Sequence, residues 1–330
     1  VTRVDAALLA GSRVRFVGTA TAGTDHLDLD WLRAADITVA AAAGCNARAV
    51  AEHVACCVYR HAARSGRAVR DLRLGIVGYG HVGRALGALA SALGIAWVAN
   101  DPPLGAALGE VAHADLATLL ETCDVVSLHV PLTRAGAHAT AGLIGAAELA
   151  RMRPGSLLVN AARGGVVDEA ALVAAVARRD GTTAALDCWI GEPCVATATL
   201  AASWLASPHI AGHTREARLN ASTLLAAALG SWAGCAVSVP ASLTGTPAPI
   251  LNGTAGVLGV LTQAHDLDAH TARMRALAGS GARAAGFDAD RRRYGLRREF
   301  ASHAVACAGS NPDTVAEFRA LGFDCRDGSA

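Results

Sequence analysis

The chain has 330 residues, 29 of them basic and 28 acidic, and is 52% hydrophobic but only 4% aromatic. That length suits two or three domains, and the alanine-dominated apolar content implies cores packed tightly from small side chains. Every basic residue is arginine, which excludes a lysine Schiff base, a Walker-A lysine and a lysine general base, and a net charge of +1 argues against a nucleic-acid binder.

In chain order, residues 14–19 and 37–42 read as short strands. A long helix follows over 47–63, with Val50, Val54 and Cys57 or Val58 on one face. Residues 74–78 form a strand, 82–93 a helix ending at Gly94, and 95–100 a second strand. A helix from Leu116, capped by Asp115, leads into a third strand at 124–130, and 156–160 is a fourth. Asp168 opens a helix running to about residue 179, and 183–188 is a fifth strand. Short apolar strands alternating with helices predict an α/β fold with a doubly wound parallel (Rossmann) sheet. Beyond it come a second long helix at 216–232 and a linker at 238–256, rich in Ser, Pro, Gly and Thr. The tail clusters arginines at 291–293 and 297–298 and then reads as a strand–helix–strand unit over 303–307, 312–321 and 323–325. No internal repeat is present.

Nine cysteines include no CxxC pair, which points to a reducing, cytoplasmic setting. The opening run is broken by Thr2, Arg3 and Asp5, unlike a signal peptide, and no 18-residue apolar stretch suggests a membrane span.

Gly78-Tyr-Gly80-His81-Val82-Gly83 is a GxGxxG lying directly after a strand and opening a helix. There a pyrophosphate can meet free N–H groups and the positive end of the helix dipole. Asp101 ends the next strand, where an acid can accept both hydroxyls of an adenine ribose. No arginine follows it to hold a 2′-phosphate, which favours NAD over NADP. Three more segments end strands, where open α/β sheets bind ligands: 160–165 with Arg163, 187–193 with Asp187 and Glu192, and 207–214 with His209. Arginine can clamp a carboxylate bidentately, and a carboxylate beside an imidazole fixes its tautomer for proton exchange with an alcohol.

Taken together, 78–83, Asp101, 160–164, 187–193 and 208–214 resemble the NAD-dependent D-2-hydroxyacid dehydrogenases. Residues 16–28, 43–47, 101–103, 209–212 and 296–300 narrow the likeness to a branch with a C-terminal dimerisation domain. The resemblance spans nearly the whole chain, and 16–28 is its most specific part. It implies a cut-down flavodoxin-like substrate domain at 1–46, completed by about 213–237. An NAD-binding domain with a leading linker helix would follow at 47–212, then the 238–256 linker and a small α+β dimerisation domain at 257–330.

The resemblance also implies roles. His209 would be the base, Glu192 its partner and Arg163 the carboxylate clamp. Asp187 would hold the nicotinamide carboxamide, with Gly212 nearby. His81 and Val82 would lie at the pyrophosphate, and Val130 and Ala162 beside the cofactor. Thr21 and His213 would contact substrate, and no metal is needed. The implied reaction is NAD-dependent oxidation at C2 of a small phosphorylated 2-hydroxy acid, 4-phosphoerythronate ahead of 3-phosphoglycerate, glycerate or hydroxypyruvate, in a homodimer that binds neither nucleic acid nor membrane; the alternative is a truncated NAD-binding protein without activity. This chain departs from the pattern at His213, Val130 and Ile190, where relatives carry tyrosine, threonine and glutamate, and residues 215–220 fit it less well. The family's opening strand, helix and strand and its Arg-Ser pair would fall before Val1.

Overall fold

Residues 2–178, 182–237, 248–278, 283–293 and 297–327 are described by the computed structural model. Strands β1 (Phe16–Thr19) and β2 (Thr38–Ala41) pair in parallel, Phe16 opposite Thr38. The helix joining them, Leu29–Ala34, starts where the Asp28 carboxylate accepts the Trp31 N–H at 3.1 Å. Leu27, Leu32 and Ile37 form a small buried apolar cluster beneath this pair. The long helix Arg215–Ala233 covers it from the other end of the chain, with Trp232 against Phe16 at 5.4 Å between ring centroids. That helix runs unbroken through 215–220.

The main sheet holds β3 (Arg73–Val77), β4 (Ala96–Asn100), β5 (Val125–Leu128), β6 (Leu157–Asn160), β7 (Thr183–Leu186) and β8 (Leu205–Ala206), all parallel in the order β4-β3-β5-β6-β7-β8. Every residue of β5 and β6 is buried, which is why these strands read as unbroken apolar runs. The sequence leads one to expect five strands. The sixth, β8, is two residues long and pairs with β7, too short to produce a pattern. Asp115 and Asp168 cap their helices as expected, Asp168 accepting from Ala170 and Ala171. The second of these helices ends at Ala177, short of residue 179, which lies outside the described residues. The winding reverses at β3, with β4 on one side and β5 on the other, so a crevice opens beyond the C-terminal ends of β3 and β5.

The Ala47–Ser65 helix corrects the expectation of one apolar face. Every residue from 49 to 62 is buried, Glu52, His53, Arg60 and His61 included. It lies between the Rossmann helix His81–Ala92 and the C-terminal helix Gly256–Ala264. Three of these polar groups are paired accordingly. Glu52 accepts from Arg48 at 2.8 Å and from the Phe300 N–H at 3.0 Å, Arg60 reaches Asp268 at 3.0 Å, and His53 meets His265 at 2.9 Å.

Part of the expected 238–256 linker is folded. Residues 238–247 lie outside the described residues, but Leu251–Asn252 form β9, the edge of a parallel sheet β11-β10-β9 with β10 (Ala304–Ala306) and β11 (Asp324–Arg326). One buried leucine, 3% exposed, anchors a stretch whose composition otherwise reads as a linker. Leu296 also lies outside the described residues. Helices Leu267–Ala278, Arg283–Arg293 and Pro312–Leu321 complete the tail. Its apolar side chains do not form a core of their own. Val260, Leu261, Phe300 and Phe318 share one cluster with Val54, Ile76 and Leu86, while Met274 and Phe287 share another with Val126, Leu172 and Leu200. All nine cysteines are free, and among the described residues no helix is long and apolar enough to cross a membrane.

Candidate active site

The glycine-rich turn after β3 divides its three glycines between two tasks. Gly78 has φ +92°, and a Cβ there would sit 2.7 Å from the His129 backbone; a Cβ on Gly83 would sit 2.2 Å from the Gly78 carbonyl oxygen. Both are dictated by the chain's own packing. Gly80, at the N-cap of His81–Ala92, faces open space, with nothing within 4 Å of its Cβ position. This is where a pyrophosphate can approach the backbone. His81 and Val82 begin the helix, His81 exposed and Val82 half-buried. Asp101, half-buried at the end of β4, accepts the Tyr79 N–H at 2.7 Å and the Leu104 N–H at 3.2 Å. One carboxylate thus joins the glycine turn to the strand end where the ribose is expected. Val130 is half-buried just past β5. An open glycine at a helix N-terminus with an acid beside it fits a dinucleotide.

A cavity of about 520 Å³ lies between the β1–β2 pair and the main six-stranded sheet. Thr21, Ala162, Arg163, Asp187, His209, Gly212 and His213 all line it, whereas 78–83, Asp101, Val130 and Glu192 stand outside its lining. Asn160, closing β6, shapes one wall: its side chain accepts the Ala162 N–H at 3.1 Å and donates to the Arg163 carbonyl at 3.0 Å. The Arg163 guanidinium then bonds Asp25 through Nε at 2.9 Å and its neighbour's carbonyl through Nη1 at 2.8 Å. Thr21 donates to the Gly23 carbonyl at 2.6 Å.

Of the proton-handling groups, His209 lines the cavity and Glu192 stands behind it. His209 Nδ1 lies 2.8 Å from Glu192 Oε2, and the other Glu192 oxygen accepts the Trp189 N–H at 2.9 Å, so the carboxylate is fixed before it meets the imidazole. His209 takes the left-handed conformation, φ +55°, rare for a residue with a side chain and a sign that the surrounding loop dictates it. That loop is anchored by Asp187, 1% exposed, which accepts from the Ser207 hydroxyl at 2.6 Å and from the Ile210 and Ala211 N–H groups at 2.8 and 2.9 Å. Burial opposes the Asp187 charge, but His53, His209 and these donors keep its pKa below the ordinary carboxylate value.

Cys188 beside the ring and the Glu192 carboxylate push the His209 pKa well up, against burial. His213 moves the other way, to about 4, through burial and the nearby Arg291 guanidinium. Cys188, Glu192 and His209 place three atoms of metal-ligand type within 4.8 Å of one another, two of which the histidine–carboxylate bond already uses. Several polar cavity residues carry no mark in the sequence. Asp25 and Asn46 lie inside stretches quoted only for their resemblance, Arg218 in a run that fits the family less well, and Arg291 in an arginine cluster.

These features are those of a hydroxy acid dehydrogenase site, and the comparisons agree. The family description "D-isomer specific 2-hydroxyacid dehydrogenase, NAD binding domain" matches residues 39–211. The chain belongs to the D-isomer specific 2-hydroxyacid dehydrogenases: it is an NAD-dependent dehydrogenase acting on a CH–OH group. Among curated relatives it is similar to the erythronate-4-phosphate dehydrogenases of Azotobacter vinelandii, 43% identical over 98% of this chain and 88% of that one, and of Marinobacter nauticus, 41% identical over 98% and 87%. Among solved structures it is similar to the TT0316 protein of Thermus thermophilus, with 28% identity, TM-score 0.59, and 73% and 83% of the two chains covered. It is also similar to an Aquifex aeolicus D-lactate dehydrogenase complexed with NAD and lactic acid, with 25% identity, TM-score 0.56, and 67% and 77% covered.

Proposed function

We propose that the chain oxidises 4-phospho-D-erythronate at C2 to the 2-oxo acid 3-hydroxy-2-oxo-4-phosphooxybutanoate, a step toward pyridoxal 5′-phosphate. The observation that carries the chemistry is the Glu192–His209 hydrogen bond in a site shared with Arg163. His209 takes the proton from the C2 hydroxyl, and Glu192 stabilises the imidazolium that forms. Arg163 holds the substrate carboxylate and polarises the developing carbonyl oxygen; it exchanges part of its bond to Asp25 for substrate. NAD, when bound, would supply the hydride acceptor. Gly80, His81 and Val82 would hold its pyrophosphate and Asp101 its ribose, with Val130, Ala162 and Gly212 beside it. Asp187 orients the nicotinamide end through the loop it anchors, and Thr21 and His213 meet the substrate.

The substrate assignment is supported by the names of the curated relatives. Nine free cysteines support a cytoplasmic setting, and the family likeness of the tail supports a homodimer through it, which sedimentation of the purified chain tests. The direct test is NAD reduction by purified protein with 4-phosphoerythronate and with 3-phosphoglycerate. A clear preference for the first is expected, and the reverse ranking would sink the assignment.

A further inference from the structure

We infer that Arg218 and Arg291, with His213 beside them, form an anion subsite that binds the phosphate monoester end of the substrate. This rests on the function proposed above, because a phosphorylated 2-hydroxy acid carries two anionic groups, and Arg163 serves only one.

The cavity is lined by three arginines: Arg163, Arg218 and Arg291. Arg163 is held by Asp25. Two other arginines of the tail are likewise paired, Arg273 with Asp290 and Arg298 with Glu216. Arg218 and Arg291 have no carboxylate partner among the described residues. The Nε of Arg291 is buried without a hydrogen-bond acceptor, and its guanidinium lies 6.0 Å from the Phe287 ring centre. Buried donors in folded proteins are nearly always satisfied, so an unsatisfied guanidinium lining an open cavity points to an acceptor that arrives with a ligand. His213 adds a second case, its Nδ1 also buried without a partner. Both arginines act electrostatically on that ring, which places their charges near it.

The acids on the lining do not cancel this surplus. Asp25 is engaged by Arg163, and Asp187 is saturated by a hydroxyl and two backbone N–H groups. Planar guanidinium groups suit phosphate oxygens bidentately, and two of them with one imidazole N–H can satisfy a dianionic ester. The two arginines come from distant parts of the chain. Arg218 lies in Arg215–Ala233 and Arg291 in Arg283–Arg293, so the C-terminal segment supplies part of the substrate site.

The test uses inorganic phosphate as the probe on the full, NAD-loaded chain, with Arg218→Met and Arg291→Met. Methionine keeps length and apolar contact with Phe287. Calorimetric phosphate affinity should fall about tenfold for each variant and about a hundredfold for the double variant. The ratio of kcat/KM for 4-phosphoerythronate to that for unphosphorylated erythronate should fall by about thirtyfold or more, mainly through KM. Should Arg291→Met not fold, Arg291→Lys and the exposed Arg218→Met serve in its place, with affinity lowered by about three- to tenfold. Unchanged phosphate affinity in the double variant, or a wild type that binds no phosphate, overturns the subsite. If 4-phosphoerythronate is not turned over but the variants still lose phosphate, the function assignment fails and the subsite stands.

Discussion

At the residue scale the chemistry turns on His209 and what surrounds it. Replacing His209 with Asn keeps a side chain of similar shape but removes the base. kcat should drop about a hundred- to ten-thousandfold, with NAD affinity nearly unchanged by fluorescence titration. A rate within about tenfold of wild type would reassign the base. Glu192→Gln tests the charge relation. Cys188 and Glu192 raise the His209 pKa, so alcohol oxidation, which needs the neutral ring, is lost as pH falls through that raised value. Without the carboxylate the acid limb of the pH–rate profile should move to lower pH, and a limb that stays put would mean that Glu192 does not act on His209.

At the element scale, the glycine turn separates ligand geometry from folding. Gly83→Ala sets a methyl against a backbone oxygen and should cost about 1–3 kcal/mol, read as a lower Tm. Gly80→Ala meets no protein atom, so Tm should hold while NAD affinity falls; retained affinity would place the pyrophosphate elsewhere. This turn is legible in the sequence because strand, glycines and helix are contiguous. Arg163, Glu192 and His209 are legible for a similar reason, each following a buried strand or its loop. What stays hidden depends on distant packing. The Ala47–Ser65 helix looks one-faced because nothing local announces that Gly256–Ala264 covers its other side. Leu251 stands alone in a turn-rich run, and Arg291 is one arginine among several until the fold brings it to the cavity.

At the scale of the molecule, the C-terminal segment and the Rossmann layers share their cores. A chain ending at residue 237 would uncover Leu200 and the faces of the Ala47–Ser65 and His81–Ala92 helices that the tail covers, and it should fail to give a cooperative melt; a cooperative one would show that the layers stand alone. Acid should also loosen the whole. His53 is pushed down to about 4 and His129 to about 3, chiefly by burial, so both are neutral when folded. The unfolded chain then binds more protons below pH 6.5, and their stabilisation, on the order of 3 kcal/mol for His53, is full above pH 6.5 and lost as pH falls toward 4. Glu52, raised to about 7 by burial, opposes this, since its contribution is present below 4.5 and lost as pH rises toward 7. Chemical denaturation at about pH 5 and about pH 7 should show the histidines prevailing in the wild type, with a flatter dependence in His53→Gln.

The buried Ala47–Ser65 helix carries one more consequence, for how the molecule opens. Wedged between the Rossmann layer and the C-terminal segment from residue 49 to 62, it cannot fray or detach alone without tearing the core it shares with both. Its amide protons should therefore be among the last to exchange with deuterium, at a rate set by global unfolding rather than by local opening. The signal of a single residue such as Tyr59 would then report the stability of the entire chain.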